Sequence, residues 1–184
     1  MDSILVVCYS YTGVSRRAAQ QLCAEHGWPL GEIRDAQPRA GAGGALRCLL
    51  DSLLRRHPAI RYDGPDPGDF RTVVLVSPIW GWRLAGPMRS FVASHRGDLR
   101  RVAVLSTMGG SGAVNAVAEI GHLLGHPPVH ALALLQRDVE QGAVRPQLAA
   151  FADALQPHST ATQPGFVPAW HAAPTEIPPV PEQP

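Results

Sequence analysis

The sequence lacks any apolar run that approaches the roughly 18 to 20 residues needed to cross a bilayer. Its first apolar run spans only residues 4–8 and follows no basic segment, so we expect no secretory signal and a cytoplasmic protein. An excess of one charge sign is also missing, because the formal net charge is +1. A nearly neutral chain has no global field to attract nucleic acid or a membrane surface, so we expect neither as a partner.

Cysteine is scarce, and the few thiols do not form a recognisable motif. Cys8, Cys23 and Cys48 are widely spaced and include no C-x-x-C pair, which argues against a disulfide framework or a zinc knuckle. We expect each to be a small buried apolar side chain in a reducing compartment. His122 and His126 have helical spacing, but His126 falls at the predicted end of a helix, where a histidine usually caps carbonyl groups. No metal site is therefore expected.

Short, continuous apolar runs indicate strands that are buried on both faces. Four such runs are followed or preceded by segments with helical periodicity, and a fifth, shorter strand is predicted at residues 30–34. The other predicted strands are 4–8, 72–77, 101–106 and 129–135, and the predicted helices are 15–26, 45–57, 87–95, 113–124 and 146–155. This alternation predicts an α/β doubly wound fold with a five-stranded parallel sheet and helices on both faces. The ligand crevice of such a fold lies at the carboxyl ends of the strands.

Two further segments have a distinct pattern. The predicted helix 45–57 carries a leucine stripe at helical spacing, which we expect to face the core. The stripe consists of Leu46, Leu49, Leu50, Leu53 and Leu54. Residues 157–184 hold 8 of the 18 prolines and have no periodic apolar pattern, which predicts a solvated tail after a single domain of residues 1–156.

The end of the first predicted strand carries three hydroxyls and a glycine. Ser10, Thr12, Gly13 and Ser15 form the predicted amino end of the next helix. Unpaired amides and the positive helix pole attract an anion there, and the hydroxyls can donate to its oxygens. The loop therefore predicts a phosphate site, with Gly13 allowing close approach of the backbone. The alternative is that Thr12 or Ser15 is only a helix cap.

Two more strand ends offer groups suited to a flat ring. Pro78, Ile79, Trp80, Gly81 and Trp82 follow the third strand, and the tryptophans provide apolar faces against which a planar ring could stack. Residues 107–112 after the fourth strand form a glycine-rich turn, whose amides could hydrogen-bond the edge of a heterocycle. A phosphate cradle, an aromatic loop and an amide-rich loop together indicate a mononucleotide with a large flat ring.

With these three motifs, the sequence over residues 3–156 resembles the flavodoxin family. The resemblance implies the strand order 2-1-3-4-5 and noncovalently bound FMN through which electrons are transferred. It also implies that the first motif holds the phosphate, that Trp80 stacks on the ring, and that Gly81 lies near a ring nitrogen. The residues to which it assigns cofactor binding are Ser10, Tyr11, Thr12, Gly13, Val14, Ser15, Pro78, Ile79, Trp80, Gly81, Thr107, Met108, Gly109, Gly110 and Ser111.

Two catalytic alternatives use some of the same residues. A low-molecular-weight phosphatase would use Cys8 as its nucleophile, but Arg16 comes two positions too late to close the C-x5-R loop. An esterase would use Ser111 in a near match to G-x-S-x-G, with Asp138 and His158 following in the correct order. A third alternative is a flavin-free module that holds a phosphate-bearing ligand, or no ligand, and works through its surface and its proline-rich tail.

For a flavin protein, the direction of electron flow stays open. Family carriers are strongly acidic, whereas this chain is nearly neutral and places Arg83 and Arg89 just after the aromatic loop. Arginines beside the ring would favour its reduced anion and could attract NAD(P)H, as in a quinone reductase; otherwise they are solvated charges. The absence of a G-x-G-x-x-G fingerprint after a strand favours a shuttle that serves a redox partner protein.

Overall fold

The computed structural model of the chain describes residues 3–36, 44 and 49–156, so the predicted tail lies outside the described residues. Seven strands of this part join in one sheet. The strands are β1 (Ile4–Tyr9), β2 (Leu30–Asp35), β3 (Ile60–Asp63), β4 (Thr72–Trp80), β5 (Arg83–Leu84), β6 (Val102–Met108) and β7 (His130–Leu135).

Five of these strands are parallel neighbours, and the α/β architecture with a mostly parallel central sheet is confirmed. The prediction of five strands in the order 2-1-3-4-5 is wrong for the whole sheet, whose order is β3-β2-β1-β4-β6-β7 with β5 paired to β4. Both unpredicted strands are antiparallel: β3 pairs with β2, and β5 pairs with β4. The five parallel strands alone, numbered among themselves, do lie in the order 2-1-3-4-5.

Helices cover both faces of the sheet. They are α1 (Val14–His26), α2 (Gly86–Ser94), α3 (Ala113–Leu124), α4 (Gln136–Glu140) and α5 (Arg145–Leu155), and residues 49–53 form a further helical segment. Side chains of α1 and α5 pack with one face of the central strands, and those of α2 and α3 pack with the other. All six residues of β1 are buried, as expected for a strand enclosed between two helical layers.

The strand β3 was not predicted from the sequence, because it is short and half-exposed at the edge of the sheet. It contains four residues, of which Arg61 and Asp63 point to solvent, so no continuous apolar run marks it. Tyr62 of this strand lies against Gly31 of β2, where an added Cβ would come within 2.3 Å of the tyrosine hydroxyl oxygen. A glycine at position 31 therefore allows the aromatic ring to cross the neighbouring strand and pack on Phe91 at a centroid distance of 5.0 Å.

The strand β4 continues beyond its predicted end at Ser77. It runs to Trp80 and turns back into β5, so Pro78, Ile79 and Trp80 belong to a β-hairpin rather than to an open loop. Ile79 pairs with Leu84, and Trp80 pairs with Arg83. The extension has no long apolar run of its own, because it begins with Pro78 and Gly81 follows it, and both residue types are rare in strands.

The leucine stripe does not face the core as predicted. Leu50, Leu53 and Leu54 are 42%, 44% and 57% exposed, and Leu46 lies outside the described residues. The buried residues of the same segment are Asp51 and Ser52. Their backbone carbonyls accept hydrogen bonds from a buried arginine, which turns the polar side of the segment inward.

No helix of the described part has both the length and the hydrophobicity of a transmembrane span. Cys8 is buried and Cys23 half-buried, and both are free thiols, whereas Cys48 lies outside the described residues.

Candidate functional site

The first turn of α1 and the carboxyl end of β6 are joined by a buried hydrogen bond between two hydroxyls. Ser15 Oγ lies 2.7 Å from Thr107 Oγ1, although the two residues are 92 positions apart. Both side chains are almost fully buried, Ser15 at 1% exposure and Thr107 at 3%. The first and third predicted motifs are therefore brought together at one edge of the sheet, as expected for parallel strands.

The first loop forms an open amino end of α1. Gly13 is its N-cap, with φ at 91°, and Gly13 N–H donates to Ser10 Oγ at 3.1 Å. Helical hydrogen bonding starts with Arg17 N–H, which donates to Gly13 O. The amides of residues 14–16 have no carbonyl partner within the helix, and the first turn contains no acidic residue. This end of the helix thus presents three amides and a positive pole to an anion.

The side chains of the first loop have different roles. Thr12 is exposed, Ser10 and Tyr11 are half-buried, and Val14 packs into the core. Ser10 Oγ accepts from the Gly13 amide, so its own proton is left to donate outward. Ser15 is directed to Thr107 rather than to solvent. The reason predicted for Gly13 is only part of the answer: an added Cβ would meet no atom within 4 Å, and the positive φ is what requires glycine.

Two aromatic rings connect the first loop to the β4–β5 hairpin. Tyr11 and Trp80 make an edge-to-face contact, with centroids 5.8 Å apart and planes at 80°. Trp80 Nε1 is buried and has no hydrogen-bond partner among the described residues. The second motif therefore lies beside the first, which places an aromatic wall next to the phosphate-type loop.

The glycine-rich turn after β6 projects from the sheet edge. Met108 is half-buried, and Gly109, Gly110 and Ser111 are exposed. An added Cβ at Gly109 or Gly110 would meet no atom within 4 Å, so the space beside this backbone is open. The turn contacts the hairpin through Trp82, whose Nε1 donates to Ser111 Oγ at 2.7 Å.

Arg89 is not a cation of the crevice. The residue is 1% exposed, and its guanidinium donates to acceptors within the protein, the backbone carbonyls at 2.9 to 3.4 Å. The acceptors are the carboxylate of Glu119 and the backbone carbonyls of Asp51, Ser52, Arg56 and Leu84. The hypothesis that Arg89 acts on a bound ring is therefore wrong, and so is its alternative as a solvated charge. Arg83 is half-buried in β5.

Sequence reasoning missed the contact of Trp82 with Ser111 and the burial of Arg89. No local signal marks either, because both depend on segments that are 29 or more residues apart. The edge contact of Tyr11 with Trp80 was also beyond a pattern of neighbouring residues.

The structure opposes the phosphatase alternative and leaves the esterase alternative untested. Burial is the main cause that raises the pKa of Cys8 to about 12, so this thiol is not the ready thiolate of a phosphatase. Ser111 Oγ accepts a hydrogen bond from Trp82 Nε1, and the predicted esterase base, His158, lies outside the described residues. His126 turns its ring nitrogens to the carbonyls of Leu99 and Pro127.

Solved structures of flavoproteins share this fold. A flavoprotein from Lactobacillus acidophilus NCFM, crystallised in complex with FMN, matches with a TM-score of 0.63 and 18% identity over 78% of this chain and 99% of that chain. A candidate flavoprotein from Bacteroides eggerthii DSM 20697 matches with a TM-score of 0.64 and 28% identity over 82% of this chain and 98% of that chain. Another, from Bacteroides uniformis ATCC 8492, matches with a TM-score of 0.61 and 22% identity over 77% of this chain and 97% of that chain.

No family model matches the sequence, and no curated protein matches it. The resemblance to flavodoxin-like proteins that the three motifs indicated is confirmed by these neighbours at the level of the fold.

Proposed function

We propose that the protein binds FMN noncovalently at the carboxyl edge of its sheet and transfers electrons through it. The observation that carries the proposal is the convergence of three loops at that edge. The Ser15–Thr107 hydrogen bond joins the first and third motifs, and the Tyr11–Trp80 contact joins the first and second. The neighbour from Lactobacillus acidophilus, which has this fold, was crystallised with FMN.

The amino end of α1 suits a phosphate monoester. A phosphate of this kind carries about 1.5 to 2 negative charges near neutral pH, which the amides of residues 14–16 and the helix pole would stabilise. Ser10 and Thr12 would add hydroxyl donors from the rim of the loop, where both are accessible. Ser15 would act differently from the prediction, because it fixes the loop to Thr107.

The hairpin and the glycine-rich turn suit the ring. Trp80 would provide an apolar face, with Tyr11 beside it, and the open space at Gly109 and Gly110 leaves backbone amides within reach of a ligand edge. When bound, FMN supplies the redox chemistry. The chain would bind the phosphate, orient the ring between two loops and shield one of its faces from water.

The burial of Arg89 favours a shuttle over a reductase of quinones. The reductase hypothesis relied on two arginines beside the ring to attract NAD(P)H, and Arg89 is fully engaged inside the protein. Of these two arginines, Arg83 on the hairpin is the one that could still attract NAD(P)H. We therefore propose a redox partner protein as the donor or acceptor.

The phosphate assignment is tested with paired variants and two ligands. Ser10→Ala combined with Thr12→Val should raise the Kd for FMN by about a hundredfold or more, since each hydroxyl lost from an anion contributes roughly 1.5 to 3 kcal/mol when it is well placed, and every 1.4 kcal/mol changes Kd about tenfold. The Kd for riboflavin, which has no phosphate, should change little. Quenching of flavin fluorescence measures both constants.

Ser94→Ala is the matched control, because Ser94 donates to Phe91 O in α2, outside the three loops. An unchanged FMN affinity of the double variant would show that the phosphate binds elsewhere. If NADPH rapidly bleached the flavin of the FMN-loaded protein without another protein present, the shuttle hypothesis would be wrong and the reductase hypothesis would replace it.

A further inference from the structure

The tip of the β4–β5 hairpin has an unusual backbone for its sequence. Gly81 and Trp82 are the two turn residues, since Trp80 pairs with Arg83, and their φ angles are 55° and 60°. Positive φ at both positions is the pattern of a type I′ turn. A glycine at the first position alone is the preference of type II′, which would return Trp82 to negative φ. A bulky residue at positive φ is an outlier that needs a specific support.

Two contacts with the glycine-rich turn provide that support. Trp82 Nε1 donates to Ser111 Oγ at 2.7 Å. The Trp82 backbone also lies against Gly112, where an added Cβ would come within 2.7 Å of Trp82 Cα. A glycine at 112, itself at φ 108°, is therefore what lets the two loops approach so closely.

Burial does not explain the position of this tryptophan. Trp82 is 62% exposed, so little apolar surface is removed from water by its present orientation. Its indole N–H could also bond to water. The two-residue hairpin turn sets the left-handed conformation of Trp82, and the directed bond to Ser111 and the close approach at Gly112 hold this residue against the glycine-rich turn.

We propose that Trp82 is a positioning residue that clamps the glycine-rich turn to the hairpin through the Ser111 hydroxyl, so that the two loops form one preorganised frame for the flavin ring. This inference rests on the proposed FMN binding. It also revises the role of Ser111, whose side chain serves the site by anchoring its own loop to Trp82. A loop that is fixed before the ligand arrives loses less conformational entropy on binding.

The clamp is tested first without any flavin. In protein labelled with nitrogen-15, the indole N–H of Trp82 should exchange with solvent more slowly than an exposed indole, and Ser111→Ala should remove this protection. Ser111→Thr keeps a hydroxyl and should restore it. The resonance is assigned by its loss in Trp82→Phe, and Trp28→Phe, remote from the clamp, is the matched control.

The second readout is the rate at which flavin leaves the protein. Trp82→Phe and Ser111→Ala should each raise this rate by about threefold to tenfold, as expected for one neutral hydrogen bond, and the double variant should be no worse than either. FMN and riboflavin should be affected alike, because the clamp frames the ring and not the phosphate.

Each result has a distinct meaning. Unprotected exchange of the Trp82 indole in the wild-type protein, or flavin release rates that are unchanged in the variants, would overturn the clamp. Additive effects of the two substitutions would also overturn it, because they would place the residues in separate interactions. A wild-type protein that binds no flavin at all would overturn the proposed function, and the exchange experiment would still decide the clamp.

Discussion

Backbone conformation governs the single residues that shape the site. Gly13 and Gly112 are the N-caps of α1 and α3, and both adopt left-handed φ values. At Gly112 the neighbouring Trp82 backbone also forbids a side chain, whereas at Gly13 the surrounding space is open. Gly13 therefore isolates the conformational contribution from the steric one, which makes it suitable for a stability test.

Gly13→Ala should lower the free energy of unfolding by roughly 1 to 2 kcal/mol, the cost of holding an L-residue in the left-handed region. Gly97→Ala is the matched control, because its added Cβ also meets nothing within 4 Å and its φ lies outside that region. The control should be neutral or more stable by about 0.4 to 1 kcal/mol, since alanine restricts the unfolded chain. Urea denaturation measures both, and equal effects at the two positions would contradict the conformational explanation.

Secondary-structure elements on one face of the sheet are joined by one buried side chain. Arg89 of α2 pairs with Glu119 of α3 and donates to Leu84 O at the end of β5. It also binds carbonyls of the helical segment 49–53 and of Arg56 just beyond it. The carbonyls at a helix end lack partners within the helix, so a fork of five donors satisfies them in a single interaction. The hairpin is thereby fixed at its base as well as at its tip.

Arg89→Met should destabilise the fold by about 3 to 5 kcal/mol, because it leaves the Glu119 carboxylate, whose side chain is only 11% exposed, and several carbonyls unpaired. Arg83→Met on the same hairpin should change stability by less than about 0.5 kcal/mol, since that side chain belongs to a half-buried position. Thermal or urea unfolding of both variants gives the comparison. A stable Arg89→Met protein with weakened flavin affinity would instead return Arg89 to the site.

Burial in the folded molecule shifts the pKa of four side chains that lie in different parts of the described fold. Desolvation raises the pKa of Cys8 to about 12 and that of Cys23 to about 11, and, aided by Asp66 and Asp63, raises that of Tyr62 to about 12. Desolvation lowers the pKa of His130, which packs on Phe151 at a centroid distance of 5.2 Å. The folded state thus favours the neutral form of each group.

Stability should be highest between about pH 6.5 and pH 9. Above pH 9 the thiols of the unfolded chain lose protons that the folded protein retains, so the free energy of unfolding falls as pH rises toward 11 and 12. Below pH 6.5 the unfolded chain protonates His130 before the folded protein does, so stability is lost as pH falls.

Urea midpoints measured from pH 5 to pH 10 test both limbs of this profile. His130→Leu should reduce the fall of the urea midpoint below pH 6.5, and Cys8→Ala should reduce part of its fall above pH 9. An acid limb that is unchanged in the histidine variant would show that another group is responsible.

Much of the architecture could be predicted because its signals are local. A buried strand needs consecutive apolar residues, and the predicted starts of β1, β2 and β4 coincide with the observed ones. The helix 113–124 was also predicted to the residue, since glycines bound it on both sides. The short strands β3 and β5 lack such runs, and the exposed Leu50 shows that periodicity alone does not tell which side of a helix is covered.

The sequence by itself determines the order of strands and helices along the chain and the three loop motifs. It also determines that these motifs lie at one edge of the sheet. These features depend on the hydrophobicity and hydroxyl content of neighbouring residues, and on the common direction of parallel strands. Only the tertiary structure decided that Ser15 bonds Thr107, that Trp82 bonds Ser111, and that Arg89 is interior. The hydrogen-bond partner of each of these side chains, and whether it is buried, depend on segments that are distant in the chain and compete for the same space and hydrogen bonds. No single segment therefore determines them.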